Sequence, residues 1–231
     1  MSANDDFVSQ PKPALTGDGS ATLFSERFGQ HYHSIHGAIQ ESQHVFLQAG
    51  FMALPPGQEP LYVFEMGLGT GLNAWLTWLS MTDQPIHYTA VEAYPLLPES
   101  WQQLNYHDLL AGEIGKQRFI QLHQAPWNQP LELSPGFTLQ KIKGTLEAFE
   151  PEQSFDLVYW DAFAPESQPE LWTEEVFARV LQWMQPGGRW VSYSAKGAVR
   201  RALQAVGFEV ERLPGPPRKR EMLRARKPIS A

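Results

Sequence analysis

Leu61-Tyr-Val-Phe-Glu-Met66 runs directly into Gly67-Leu-Gly69-Thr-Gly71 and then into Leu72–Met81, a succession that few folds accommodate. A short β-prone apolar run, glycines at alternate positions and apolar residues at helical spacing predict a strand, a tight turn and a helix. Glycine takes positive φ readily and lets a ligand approach the backbone. In an open α/β sheet, nucleotides bind at such a turn.

The alternation continues along the chain. Ile86–Glu92 reads as a strand, Glu99–Ala111 as a helix, and Phe137–Lys143 and Phe155–Trp160 as strands. Thr173 is placed as the N-cap of a helix carrying Val176, Phe177, Val180, Leu181 and Met184, which Pro186, Gly187 and Gly188 stop. Arg189–Ser194 reads as a strand, Ala198–Val206 as a helix, and Phe208–Arg212 and Glu221–Arg224 as two late strands. The expected fold is α/β, a Rossmann-like and mostly parallel sheet covered on both faces. Residues 1–55 fit the alternation poorly and are read as an N-terminal extension over the ligand edge, with a helix over Gly37–Ala49. Residues 56–231 form the core, and residues 118–130 are read as adding a small hairpin before the Phe137 strand.

A dinucleotide fingerprint needs Gly or Ala at position 72, where this chain has Leu72, and Glu65 repels a pyrophosphate. The same carboxylate suits a cation such as the sulfonium and ammonium of S-adenosylmethionine. Glu92, closing the second strand, can accept two ribose hydroxyls. Glu65, Gly67, Gly69, Gly71 and Glu92 together predict S-adenosylmethionine as ligand and a class I methyltransferase core. Thr145, after the third core strand, is the candidate for the adenine amino group, with capping of the next turn as its competing role.

The Phe155–Trp160 strand ends in Asp161-Ala-Phe163-Ala-Pro165, which places Asp161 beside the methyl donor. Methyl transfer from a sulfonium consumes charge, so orienting the acceptor matters more than stabilising an oxyanion. Asp161 is expected to hold the hydrogens of an amine and Phe163 to wall the site. A carboxyl group with a pKa of about 3.9 stores a proton poorly against an amine near about 10.4, so the proton is expected to leave to water. From the polar and aromatic cluster Tyr32, His33, Ser34, Glu41 and His44, the residues Tyr32, His33 and Glu41 are read as touching the acceptor or covering the cofactor. His31, His33 and His36 lack convincing ligand spacing and the reaction needs no Lewis acid, so no metal is expected.

Composition narrows the partners. The chain has no cysteine, which excludes disulfides, iron–sulfur clusters and a thiol nucleophile. Met1–Gln10 lacks a basic start followed by an apolar run, and Glu65, three glycines and Asn73 interrupt Val63–Leu79. Neither a secretory signal nor a membrane span is expected, and the chain reads as cytoplasmic. The net charge is −7, yet residues 196–231 hold ten basic side chains against three acidic ones. With a Debye length of about 8 Å, a polyanion meets that local patch rather than the acidic remainder. Arg200, Arg201, Arg218, Lys219 and Arg220 are therefore candidates for phosphate contacts.

Three segments together, Tyr32-His-Ser-Ile-His-Gly-Ala-Ile-Gln-Glu-Ser-Gln-His-Val-Phe46, Asp161-Ala-Phe-Ala-Pro165 with Leu171-Trp172, and Gly197-Ala-Val-Arg-Arg201 with Arg218-Lys-Arg-Glu-Met222, resemble the methyltransferase family of tRNA wobble-uridine modification. The resemblance runs from Thr16 to Arg224. It implies methyl transfer from S-adenosylmethionine to the primary amine of 5-aminomethyl-2-thiouridine in tRNA, giving 5-methylaminomethyl-2-thiouridine, with Asp161 at the amine. Many relatives continue into an FAD-dependent oxidoreductase, whereas this sequence stops at Ala231. The expectation is methylation without an FAD domain, with a separate enzyme supplying the aminomethyl base. Thr145 stands where the family usually has Asp. Two other readings use the same sheet edge: a small-molecule amine methyltransferase or aminopropyltransferase, and a non-catalytic tRNA- or nucleotide-binding module.

Overall fold

The structure, a computed structural model, describes residues 10–229 except 56 and 58, so most of the reading of Met1–Gln10 lies outside the described residues. Near the N-terminus, β1 (Lys12–Leu15), β2 (Ala21–Ser25) and β3 (Gln30–His31) form a small antiparallel sheet. Next comes α1 (Ala38–Ser42), which continues as a π-helical segment over Gln43–Gln48. The main sheet begins with β4 (Leu61–Met66), α2 (Leu72–Ser80) and β5 (Ile86–Glu92). Helices α3 (Pro98–Trp101), α4 (Tyr106–Leu110) and α5 (Gly112–Gln124) then lead to β6 (Pro130–Ser134), β7 (Phe137–Lys143) and β8 (Phe155–Trp160). The chain finishes with α6 (Glu174–Trp183), β9 (Met184–Ser192), α7 (Gly197–Ala205), β10 (Glu209–Pro214) and β11 (Glu221–Arg226).

The eight strands lie in the order β10-β11-β9-β8-β4-β5-β7-β6. The five central strands are parallel, while β6, β10 and β11 pair antiparallel. From β4 the chain winds outward through β5 and β7, then returns to β8 on the other side of β4. This reversal opens a crevice at the carboxyl ends of β4 and β8, the usual ligand position in such sheets. Met66 is paired with Trp160, so the next residues, Gly67 and Asp161, leave the sheet side by side.

Both faces of the sheet are covered, which explains the near-continuous apolar reading of β4 and β8. Val63, Tyr88, Leu139 and Tyr159 pack with Trp75 and Trp78 of α2. Phe64, Val158, Trp160 and Trp190 pack with Phe177 and Val180 of α6 on the other face. Thr173 caps α6 by accepting from the Val176 amide, a contribution of about 1 kcal/mol. The N-terminal segment adds Leu23, Ile39, Val45 and Phe46 to the first of these cores, so it is packed into the same hydrophobic body.

Three local expectations change. The Glu99–Ala111 helix is broken between α3 and α4, because Asn105 accepts from the Ala21 amide and donates to the Gly19 carbonyl, tying this point to the N-terminal segment. Residues 118–124 belong to α5, and the added antiparallel strand is Pro130–Ser134. Helix α6 ends at Trp183, before Pro186; residues 185–188 instead form an irregularity inside β9, whose pairing jumps from Met184 to Arg189 against β8.

Candidate active site

A cavity of about 400 Å³ lies at the crevice between β4 and β8, within the usual size range for a small-molecule site. Its lining includes Gly67, Gly69, Thr70 and Glu92 at the glycine turn and the end of β5, and Tyr32, Glu41, Asp161, Phe163, Tyr193 and Lys219 from other segments. The turn depends on glycine for two separate reasons. Gly67 and Gly69 have φ of +86° and +50°, and a Cβ would sit 2.9 Å from the Asp161 carbonyl oxygen at the first and 3.0 Å from the Tyr32 ring at the second. Gly71 has the same left-handed φ as the residue entering α2, but it packs against Leu122 rather than lining the cavity.

Glu92 organises the cofactor side. Its two oxygens accept from the Gly69 amide at 2.9 Å and the Tyr94 amide at 2.8 Å. Burial raises the carboxyl's pKa, while these backbone hydrogen bonds oppose the rise. A carboxylate has about four acceptor positions, leaving lone pairs for a ribose diol. The residues present therefore fit S-adenosylmethionine: a glycine turn without Cβ atoms beside a fixed carboxylate. Glu65 does not line this cavity. It is fully buried beneath the turn, where it accepts from Asn73 Nδ2 and the Tyr88 hydroxyl at 2.9 Å each. Burial, with the Asp161 charge adding to it, raises its pKa well above the carboxylate range. From this position beneath the turn Glu65 supports Asn73, which does line the cavity. Thr145 is also outside the cavity; it is exposed, its carbonyl accepts from the Ala148 amide, and its hydroxyl bonds to Glu147. It starts the turn over Leu146–Ala148 and lies away from the cavity in which the adenine contact is expected.

Asp161 is held where the two strands separate. Its amide donates to the Met66 carbonyl at 3.1 Å, and Oδ2 accepts from Asn73 Nδ2 at 2.8 Å. The Asn73 amide group thus bridges Glu65 and Asp161. Desolvation pushes the Asp161 carboxyl up to about 8; Glu41 adds to the rise, while Asn73 and Lys219 oppose it. The loop after Asp161 is braced throughout. Trp172 Nε1 donates to the Phe163 carbonyl at 2.8 Å, Gln168 accepts from the Phe163 amide, and Gln30 accepts from the Ala164 amide. The Phe163 ring stacks on Phe28 at 4.3 Å and meets Tyr32 edge-on at 5.1 Å.

Other residues singled out from the sequence take different places. His33 borders the cavity, but its nitrogens face Thr22 and Thr70 at 3.3 and 3.2 Å, joining β2 to the glycine turn. Burial lowers its pKa to about 4, leaving a neutral strut. Glu41 accepts from the Ser34 amide at 2.8 Å and pairs with Lys219. Lys219, nominated for surface phosphates, instead reaches the cavity wall, with its ammonium 4.6 Å from the centre of the Tyr193 ring. Arg200, Arg201 and Arg218 line no described cavity, and Arg220 lines a neighbouring pocket.

The distribution of ion pairs refines the basic C-terminal patch. Arg212, Arg224 and Arg226 are paired with Glu221, Glu211 and Glu209 along the last hairpin. Arg200, Arg201, Arg218 and Arg220 form no ion pair among the described residues. Arg200 and Arg201 belong to α7, which follows the carboxyl end of β9, while Arg218 and Arg220 lie in the β10–β11 turn. Sequence reasoning missed Asn73, Phe28 and Tyr193. Only Asn73 left a signal, as a polar interruption in an apolar helix immediately after the glycine turn.

Comparison with known proteins agrees with this geometry. Residues 116–228 match a family described as S-adenosyl-L-methionine-dependent methyltransferase. A tRNA 5-methylaminomethyl-2-thiouridine biosynthesis bifunctional protein MnmC from Cupriavidus necator is 34% identical over 224 residues, covering 88% of this chain and 32% of the relative. A protein of the same name from Idiomarina loihiensis is 33% identical, covering 86% of this chain and 36% of the relative. The chain therefore spans about a third of the length of these curated relatives. The crystal structure of MNMC2 from Aquifex aeolicus superposes with a TM-score of 0.76 at 26% identity, covering 96% of this chain and 72% of that one. Spermidine synthase from Thermotoga maritima, at 11% identity and a TM-score of 0.54 over 96% of this chain and 73% of that one, shares the fold alone.

Proposed function

We propose that the chain is an S-adenosyl-L-methionine-dependent methyltransferase, supported by the family match over residues 116–228 and by relatives named for 5-methylaminomethyl-2-thiouridine biosynthesis, and that it methylates the primary amine of 5-aminomethyl-2-thiouridine at the tRNA wobble position. The observation carrying this reading is that one cavity contains both the glycine turn with Glu92 and the Asp161–Phe163 corner. S-adenosylmethionine, when bound, supplies an electrophilic methyl group. Gly67, Gly69 and Glu92 would hold it at the sheet edge, and Asp161 would accept hydrogen bonds from the amine and so orient its lone pair for transfer. Phe28, Tyr32 and Phe163 confine the acceptor and exclude water.

The fate of the proton changes from the expectation based on ordinary solution values. An Asp161 carboxyl pushed up to about 8 lies within a few units of an alkylamine near about 10.4. Its ionised form, which predominates above about pH 8, can therefore take the ammonium proton transiently before passing it to water. Arg200, Arg201, Arg218 and Arg220 supply unpaired positive charge for tRNA phosphates. The aminomethyl base comes from a separate reaction, and the work takes place in the cytoplasm with tRNA.

The test is transfer of labelled methyl from S-adenosylmethionine to tRNA carrying 5-aminomethyl-2-thiouridine, followed by nucleoside mass spectrometry. A labelled 5-methylaminomethyl-2-thiouridine is expected. Methylation of small amines without tRNA, or cofactor binding without transfer, would overturn the reading.

A further inference from the structure

We infer that a second pocket beside the reaction cavity receives the nucleobase adjacent to the methylated uridine; this rests on tRNA being the substrate. The pocket measures about 380 Å³ and shares Ala164, Tyr193 and Lys219 with the reaction cavity. Pro165 and Ala195 supply apolar wall, while Lys196 and Arg220 add positive charge at its border. An isolated phosphate has no use for the apolar wall, and a neutral apolar ligand has no use for the cations. A nucleotide uses both, because its base has an apolar π-face and its phosphate is anionic.

The shared wall is fixed in advance. The Tyr193 hydroxyl donates to the Ala162 carbonyl at 2.8 Å, and Trp172 meets the Tyr193 ring edge-on at 6.4 Å. Lys219 stands over the same ring at 4.6 Å. It is brought there by a turn in which the Lys219 amide donates to the Pro216 carbonyl and Arg218 takes a left-handed φ of +68°. A non-glycine residue held in that region costs about 1 kcal/mol or more, so the surroundings must enforce it. Three acids bear on the pocket. Glu41 pairs with Lys219, Glu166 pairs with Lys196, and Glu221, which lines the pocket, lies 3.5 Å from Arg212. Arg220 is left with no ion pair among the described residues.

Ser194 supplies an independent observation. This lining residue is 5% exposed, and its hydroxyl has no hydrogen-bond partner in the described structure. An unpaired buried hydroxyl is unfavourable, whereas the edge of a base carries donors and acceptors that can satisfy it. Consecutive nucleotides are joined by one phosphodiester, which must cross the wall common to the two pockets. Lys219 is the cation at that crossing. The adjacent nucleotide thus enters the second pocket as its neighbour presents the amine to Asp161.

The experiment compares methyl transfer to three synthetic acceptors: the 5-aminomethyl-2-thiouridine mononucleotide, dinucleotides extended on either side, and the same dinucleotides with an abasic neighbour. On one side, a neighbouring base should raise kcat/KM by about tenfold over the abasic form, the scale of one base stacked in a protein site. Ala195→Trp, which fills the second pocket at an exposed position outside the reaction cavity, should erase that gain while leaving mononucleotide transfer unchanged. Equal rates with based and abasic neighbours on both sides would overturn the base pocket while leaving the methylation reading standing. A base-dependent gain that survives Ala195→Trp in a variant still binding S-adenosylmethionine would also overturn it. Absence of transfer to these acceptors and to aminomethylated tRNA would defeat the methylation reading and this proposal together.

Discussion

The two sides of the reaction cavity are built by different means. The cofactor side is formed by contiguous sequence: β4, three glycines and α2, with Glu92 fastened to the turn by backbone amides. The acceptor side is assembled by side chains from distant segments. Glu41 meets Lys219 across 178 positions, Asn73 meets Asp161 across 88, and Gln30 braces Ala164 across 134. The first side is specified by what a backbone can do locally. The second exists only once the whole chain has folded, so its residues can be changed one at a time without dismantling the glycine turn.

Mutations can separate these halves. The largest effect is expected from Asp161→Ala, which removes the group proposed to orient the amine and receive its proton. Steady-state kcat should fall by about 10²-fold or more, in line with the loss of a positioned acid–base group. Gly69→Ala attacks the other side. Its Cβ would lie 3.0 Å from Tyr32 at a φ of +50°, and S-adenosylmethionine affinity should fall by about tenfold in calorimetry, from strain of the order of 1 to 2 kcal/mol. Preserved affinity in that variant would blur the division.

Smaller effects sharpen the comparison further. Glu41 raises the pKa of Asp161 and Lys219 lowers it, so Glu41→Gln should move the acidic limb of the pH–rate profile to lower pH and Lys219→Met should move it to higher pH. Equal shifts in one direction would show that the pair acts only as scaffold. Stability supplies the smallest signal. The folded Asp161 carboxyl, raised to about 8 from an ordinary value of 3.8, binds its proton more tightly than in the unfolded chain. Its contribution is fully present below pH 3.8 and is lost as pH rises through about 8. Asp161→Asn should therefore raise Tm by a few degrees at pH 9, and by less at pH 5; a gain that does not grow with pH would contradict the burial of this carboxylate.

The same division explains what could be read from the sequence. The glycine turn, the central strands and Asp161 at the end of β8 were legible because each follows from local pattern and sheet geometry. Helix α5 was not, because its buried face is Gly115, Phe119 and Leu122, and a glycine packed under Trp75 carries no hydrophobic signal. The break after α3 depends on Asn105 bonding to a strand more than eighty residues earlier. Lys219 looked like its basic neighbours until the fold paired it with Glu41. Glu65 had the right charge for a sulfonium, but its position on the α2 side of β4 buries it against Asn73 and Tyr88.

The most direct test of the two-sided cavity is the equilibrium affinity for S-adenosylmethionine of the Asp161→Ala variant, measured by calorimetry on the sample whose turnover has been lost. The affinity is predicted to stay within about threefold of the parent, a difference below 1 kcal/mol. A fall in affinity that parallels the fall in turnover would contradict the account, placing Asp161 among the groups that hold the cofactor.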